Sequence, residues 1–271
     1  MKISFIGGGN MAAALIGGLI GKGHAPAALG VVELQAEARA RLSAQFGVDC
    51  VDSVSAAVPL GEVVVLAVKP QQMRAAAAAL RPRLARELVI TIAAGIRLVD
   101  LSRWLGGYAT LVRCMPNTPA LIGAGISGLY AGAAVGAGQR ALAESVLGAV
   151  GATLWVQEEG LLDPVTAISG SGPAYVFYFI EALQQAAREM GLSATDARKL
   201  AVETFVGTAR LAAQSAEEVE TLRERVTSKA GTTECALASM DADRVKDLIV
   251  RALHAANQRA HEIGEQLGAD E

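Results

Sequence analysis

Three short stretches of this sequence carry more hydroxyls and glycines than chain folding alone requires. The first is Arg225-Val-Thr-Ser-Lys-Ala-Gly-Thr-Thr-Glu234, which sets Thr227, Ser228, Thr232 and Thr233 around Ala230-Gly231 between two helical segments. Gly231 with Glu234 three residues later already fits a helix start, and capping uses one or two hydroxyls. The others are free to touch a ligand. The second stretch is Ser169-Gly-Ser-Gly-Pro-Ala-Tyr175. Pro173 at the first position of the following helix, with two glycines before it, predicts a helix N-terminus that an anion can approach closely. A cap would use one serine, which leaves Ser171 as a candidate contact. The third is Gly7, Gly9 and Ala12, a G-x-G-x-x-A pattern directly after an apolar β run and opening a helix at Asn10 and Met11. The first glycine permits a tight turn and the second lets the backbone approach a pyrophosphate. The small Ala12 allows close helix–strand packing, and the helix N-terminus adds N–H groups and positive dipole. That chemistry is dinucleotide binding.

Other residues extend the site. Glu33 ends the second strand, where a carboxylate accepts hydrogen bonds from an adenosine ribose and repels a 2′-phosphate. It leans towards NAD(H), whereas Arg39 and Arg41, one or two turns on, could accept NADP(H); the preference between NADH and NADPH stays open. Lys69 follows a buried strand at its carboxyl end, where ligands bind in open α/β sheets. Asn117 and Thr118 follow another strand in a loop fixed by Pro116 and Pro119.

These positions need elements to hold them. Apolar, β-branched runs predict strands at 3–6, 29–33, 48–51, 62–68, 88–93 and 110–113, with helices between them. Strand and helix alternating at this spacing imply a parallel sheet with crossover helices. A last strand–helix–strand follows over 125–131, 138–150 and 153–156. From Leu161 onward there is no strand signal. Residues 173–190 begin apolar on all sides, which predicts a fully buried helix. Helices follow at 195–214 and 216–226, and a long amphipathic one at 243–267. The expected class is therefore α/β: a Rossmann-type parallel sheet with helices over 1–160, then an all-α domain over 161–271.

Bulk properties exclude several functions. With 271 residues, 52% of them hydrophobic, the chain is long enough for two domains. A net charge of −3 offers no basic surface for nucleic acid. No apolar run is long enough to cross a bilayer, and glycines interrupt the N-terminal run at once, so no membrane partner is expected. Cys50, Cys114 and Cys235 are few and widely spaced, which favours a reducing compartment, read as cytoplasmic, and speaks against a disulfide framework or zinc site. His254 and His261 lie on one face of the last helix with no further ligands nearby. We expect no metal and place them beside a dimer interface.

In order and spacing, the stretches "FIGGGNMAAALIGGL", "VVVLAVKPQ", "TIAAGI", "RCMPNTPALIGAG", Asp163 to Tyr175 and "VTSKAGTTE" resemble the pyrroline-5-carboxylate reductases over essentially the whole length. The resemblance implies an N-terminal Rossmann domain binding NADPH or NADH and a helical domain that dimerises by interlocking its helices, with dimers assembling into decamers. It implies hydride transfer to the C=N bond of L-1-pyrroline-5-carboxylate, giving L-proline. The substrate pocket would be Ser228, Gly231, Thr232 and Thr233 with Ser171, the Thr233 hydroxyl meeting the ring nitrogen as the catalytic group. Cofactor contacts would come from Gly7, Gly9, Asn10, Met11, Ala12, Glu33, Ala67, Val68, Lys69, Pro70, Ala93, Gly95 and Asn117. The sequence also departs from the family pattern. Lys229-Ala230 stands where the family turn usually reads Pro-Gly, and alanine is strained if that position needs positive φ. The family often has a ribose-contacting asparagine near Val54, for which Ser53 or Ser55 would substitute.

Two other classes differ in specific residues. A β-hydroxyacid dehydrogenase needs a general base for an alcohol proton, in that family a lysine on the interdomain helix, and residues 173–190 contain neither lysine nor histidine. A non-catalytic dinucleotide-binding regulator would have no reason to keep both hydroxyl-rich turns.

Overall fold

The structure is a computed structural model that describes residues 1–54 and 60–269. An eight-stranded sheet runs through the first part of the chain: β1 (Ile3–Ile6), β2 (Leu29–Val32), β3 (Asp49–Val51), β4 (Val63–Leu66), β5 (Leu88–Thr91), β6 (Leu111–Met115), β7 (Gly125–Ala131) and β8 (Gly151–Trp155). The spatial order is β3-β2-β1-β4-β5-β6-β7-β8. Helices α1 (Asn10–Gly21), α2 (Ala36–Phe46), α3 (Met73–Leu80), α4 (Leu98–Trp104) and α5 (Ala137–Leu147) cover the sheet. Every residue of β4 is buried, because the strand faces helices on both sides. Val63 and Val65 join Phe5, Leu15, Ile16 and Leu42 in one core. Val64 and Leu66 join Met73, Leu80 and Leu101 in the other.

One pairing departs from the expected all-parallel sheet: β6 and β7 are antiparallel, and β8 is then parallel to β7. A parallel neighbour needs a crossover of about a dozen residues or more. Between Met115 and Gly125 the chain has only residues 116–124, with one short 3-10 turn over Thr118–Ile122. The strand has to return beside its predecessor.

Beyond β8 come α6 (Leu162–Val165), a π-helical turn over Thr166–Gly170, α7 (Gly172–Glu189), α8 (Ala194–Gln214), α9 (Val219–Arg225), α10 (Thr232–Ala242) and α11 (Val245–Gly268). The chain forms two compact units. One holds residues 1–171 with the end of α11 from Ala256; the other is helical and spans Gly172–Ala255. Residues 162–165 pack under the sheet, where Leu162 and Val165 lie against Gly128 of β7. Within the helical unit, only Ala187, Ala197 and Ala201 are buried. The expectation of a buried 173–190 helix therefore fails for the single chain: Phe177 is 61% and Tyr178 71% exposed. The apolar face has no cover within its own unit.

Candidate functional site

The register aligns Ile6 of β1 with Val32 of β2 and with Leu66 of β4, and Leu66 with Thr91 of β5. The residues that follow each strand therefore emerge side by side at one carboxyl edge. Gly7 takes φ +104, and its N–H donates to the Val32 carbonyl at 2.8 Å. A Cβ here would sit 2.7 Å from the Ala67 carbonyl oxygen, so both conformation and space demand glycine. Gly9, the N-cap of α1, faces open space where a side chain would begin. No side chain caps α1, and its first turn, with Asn10 and Met11, has no acidic residue. The N–H groups at that end are thus open to an anion, while Ala12 is buried against the sheet. An uncapped helix start behind a glycine turn suits a dinucleotide pyrophosphate, so these residues fit the cofactor that the sequence implies.

Around this turn the expected residues divide. Ala67, Val68, Lys69 and Pro70 continue from β4 at the same edge, with Lys69 exposed. Ala93 follows β5 and is buried. Glu33 follows β2, and its carboxylate accepts N–H bonds from Gly8 at 2.8 Å and Gln35 at 2.9 Å. Gly95, at φ +77, lies against Ile263 and Leu267 of α11, which would meet its Cβ at 2.7 and 3.0 Å. Ser53 donates its hydroxyl to Asp52 at 3.2 Å; Ser55 lies outside the described residues.

Asn117 occupies the edge beyond β6, but its amide is committed elsewhere. Nδ2 donates to the Ser169 carbonyl at 3.3 Å and to the Ser169 hydroxyl at 3.2 Å, and Oδ1 accepts the Ile126 N–H at 3.0 Å. The reason lies in the sequence. Pro173 has no N–H to return to the carbonyl four residues earlier, which is Ser169. Asn117 satisfies that carbonyl instead. The stretch Ser169–Tyr175 is correspondingly not the fresh helix start expected from sequence. It belongs to a helical run in which the Ser171 N–H reaches back five residues to Thr166 at 2.9 Å, and Ser171 itself is helical.

The second hydroxyl-rich turn lies in the helical unit, between α9 and α10. Gly231 is the N-cap of α10, and no side-chain hydroxyl caps it. Glu234 reaches back to accept the Ala230 N–H at 2.5 Å. The Thr227 hydroxyl closes α9 by donating to the Arg223 carbonyl at 2.7 Å. Among the described residues, Ser228, Thr232 and Thr233 make no side-chain hydrogen bond, so capping does not account for them. A Cβ on Gly231 would meet the Ser228 carbonyl oxygen at 3.0 Å, which keeps the turn tight. Ala230 adopts φ +58, the left-handed region anticipated as costly for alanine.

One cluster escaped the sequence reading. Arg113, in the middle of the inner strand β6, is 4% exposed and lies 3.2 Å from Glu159 and 3.5 Å from Asp163. Asp163 also faces His261 Nδ1 at 3.4 Å. His261, half exposed on α11, thus reaches this cluster. These partners are far apart in sequence, and no local pattern marks them. Cys114 offers no nucleophile, since burial pushes its thiol up to about 12. Among the described residues no group of three or more His, Cys, Asp or Glu side chains could hold a metal, and no helix is long and apolar enough to cross a membrane.

Residues 159–263 match a family model for pyrroline-5-carboxylate reductase dimerisation, and residues 2–95 one described as NADP oxidoreductase, coenzyme F420-dependent. A curated pyrroline-5-carboxylate reductase of Pseudomonas aeruginosa is 48% identical over 98% of both chains. A solved reductase of that name from Coxiella burnetii superposes with a TM-score of 0.92 at 39% identity, covering 97% of this chain and 98% of the other. The Plasmodium falciparum pyrroline carboxylate reductase, solved with NADP bound, gives 0.87 at 26% identity with the same coverage. By its sequence and by its fold from end to end, the chain belongs to the pyrroline-5-carboxylate reductase family.

Proposed function

We propose that this chain reduces the C=N bond of L-1-pyrroline-5-carboxylate to give L-proline, using NADPH or NADH. The observation that carries the chemistry is the turn before α10, where Ser228, Thr232 and Thr233 keep their hydroxyls uncommitted beside an uncapped helix start. The first amides of α10 and the Ser228 hydroxyl hold the substrate carboxylate, with Gly231 keeping the approach close. Exposed Lys229 adds positive charge to the same turn. The Thr233 hydroxyl hydrogen-bonds the ring nitrogen and orients it. Ser171 contributes a further polar group. The nicotinamide, when bound, supplies the hydride that forms the new C–H bond at C5 of the ring. The C=N π pair passes to the already protonated nitrogen, which becomes the neutral ring amine and then takes a further proton from water. A protonated imine is already electrophilic, so positioning does most of the work and no carboxylate or histidine base is required. Gly7, Gly9, Asn10, Met11 and Ala12 hold the pyrophosphate. Ala67 to Pro70 and Ala93 supply the sheet edge beside it.

In this reading residues 1–160 bind the dinucleotide, while residues 161–271 bind substrate and dimerise, with dimers assembling further into a decamer in the cytoplasm. The exposed apolar face of α7 supports the dimer. The test is oxidation of NADH and NADPH by the purified chain with pyrroline-5-carboxylate, followed by nicotinamide absorbance. We expect turnover with at least one cofactor, and a loss of roughly 10–1000-fold in Thr233→Ala, the range for one positioned hydrogen-bonding group. Cofactor binding without turnover would refute the assignment.

A further inference from the structure

Resting on that reading, we infer that the C-terminal end of α11 belongs to the cofactor machinery: Ile263 and Leu267 are positioning residues that hold the loop of residues 92–97 against the dinucleotide. The strand order β3-β2-β1-β4-β5-β6 puts the ligand crevice between β1 and β4, with β4 and β5 serving the second mononucleotide half. The loop leaves β5 at that edge and carries Ala93. Its ends are fixed from the sheet side. The Ile92 N–H donates to the Leu66 carbonyl at 3.2 Å, and the Leu98 N–H to the Glu159 carboxylate at 2.7 Å. Its middle is shaped by α11. Gly95 takes φ +77, and a Cβ there would lie 2.7 Å from Ile263 and 3.0 Å from Leu267. Leu267 packs on the same apolar cluster that buries Ala93 and Ile96. All of these residues lie in the first unit.

The sequence of α11 fits this close approach. Ala260, Gly264 and Gly268 recur every fourth residue and so share one face of the helix. Glycine weakens a helix interior, so the contact has to account for Gly264. A Cβ on Gly264 would come 3.1 Å from Arg97 Nε, and one on Gly268 2.4 Å from an Asp100 carboxylate oxygen. Polar contacts then fix the helix end against the loop. Arg97 Nη2 lies 3.3 Å from His261 Nδ1, and Arg103 Nη2 donates to the Gly268 carbonyl at 2.9 Å. The Arg113 cluster closes the arrangement: Glu159 holds the end of the loop, and Asp163 faces His261 at 3.4 Å. A loop backed this tightly keeps Ala93 at the crevice.

The test measures cofactor binding with no imine present, by calorimetry with NADH and with NADPH on the purified full chain. Leu267→Ala removes the backing of Gly95 and should raise both dissociation constants about 5–50-fold, as a displaced positioning contact does. The KM for pyrroline-5-carboxylate and kcat at saturating cofactor should stay within about threefold. Leu267→Met keeps the volume and should bring binding back to within about twofold of the wild type. Val146→Ala truncates a fully buried residue of α5 in the other core. It should lower Tm comparably and leave both dissociation constants unchanged. If Leu267→Ala does not fold, Ile263→Val carries the same test, with an expected weakening of about two- to fivefold. Cofactor affinity unmoved by the α11 variants would overturn the inference. So would an equal weakening in Val146→Ala, which would reduce the end of α11 to packing. The functional reading fails separately, through absence of turnover with pyrroline-5-carboxylate in a wild type that binds the cofactor.

Discussion

Ala230→Gly isolates the strain in the turn before α10. Ala230 sits at φ +58 with its N–H held by the Glu234 carboxylate, so the conformation is imposed from both sides. An L-residue with a Cβ pays about 1–2 kcal/mol in the left-handed region, and glycine avoids this cost. Glycine also gives the unfolded chain more freedom, which returns about 0.4–1 kcal/mol. The net expectation is a stabilisation of about 0.5–1 kcal/mol, or a rise of roughly 1–4 °C in Tm. Both proteins should be compared at one protein concentration, because any oligomer links stability to mass action. The catalytic constants should stay within about threefold, since the backbone path does not change. Ala230→Val is the counterpart: a β-branched side chain at positive φ should destabilise the chain and raise the KM for pyrroline-5-carboxylate. A destabilised glycine variant together with a tolerated valine variant would refute the reasoning.

Arg113→Met should cost about 3–5 kcal/mol in urea unfolding, because it leaves Glu159 and Asp163 without their buried cation. Adding Asp163→Asn should recover part of that loss, and no recovery would mean that the carboxylates do not depend on Arg113. Asn117→Ala leaves the Ser169 carbonyl and the Ile126 N–H without their partner, and should lower stability by about 1 kcal/mol and reduce kcat more than cofactor affinity. If cofactor affinity falls first, Asn117 contacts the dinucleotide after all. The denaturation midpoint should rise with protein concentration, as for any fold completed by association, and a midpoint independent of concentration would count against a dimer.

Much of the sheet was legible because its signals are local. Val63 to Leu66 can only be a strand buried on two faces, and the glycine turn at 7–9 carries its own conformational demand. The strain at Ala230 was legible for the same reason, as a departure at one position of a familiar turn. The antiparallel β7 was missed although its arithmetic lies in the sequence, since residues 116–124 are too few for a crossover. The role of Asn117 was half legible. Pro173 announces a carbonyl without its helical partner, but nothing near it says that the replacement donor comes from 52 residues earlier. The Arg113 cluster was not legible, because Asp163 and His261 stand 98 residues apart and meet only in the fold.

The misreading of 173–190 has a different origin. Hydrophobic pattern reports burial in the state that selection acts on, and for a dimerisation domain that state is the assembly. Within its own unit α7 leaves Val176, Phe177, Tyr178 and Leu183 exposed, and the unit buries only three alanines. Three alanines are too little core to offset the conformational entropy of ordering residues 172–255. The helices therefore need a second surface, and the dimerisation model matched over 159–263 names the kind. The same need explains why the turn carrying Ser228 to Thr233 belongs to this unit. A turn with a strained Ala230 and uncommitted hydroxyls gains nothing from its own packing, so its geometry has to be held by helices on both sides, and those helices are held by association. In the proposed reading dimerisation and substrate binding are one structural requirement: dissociating the helical units should loosen the turn before it reaches the glycine turn at Gly7, whose own contacts lie within the sheet.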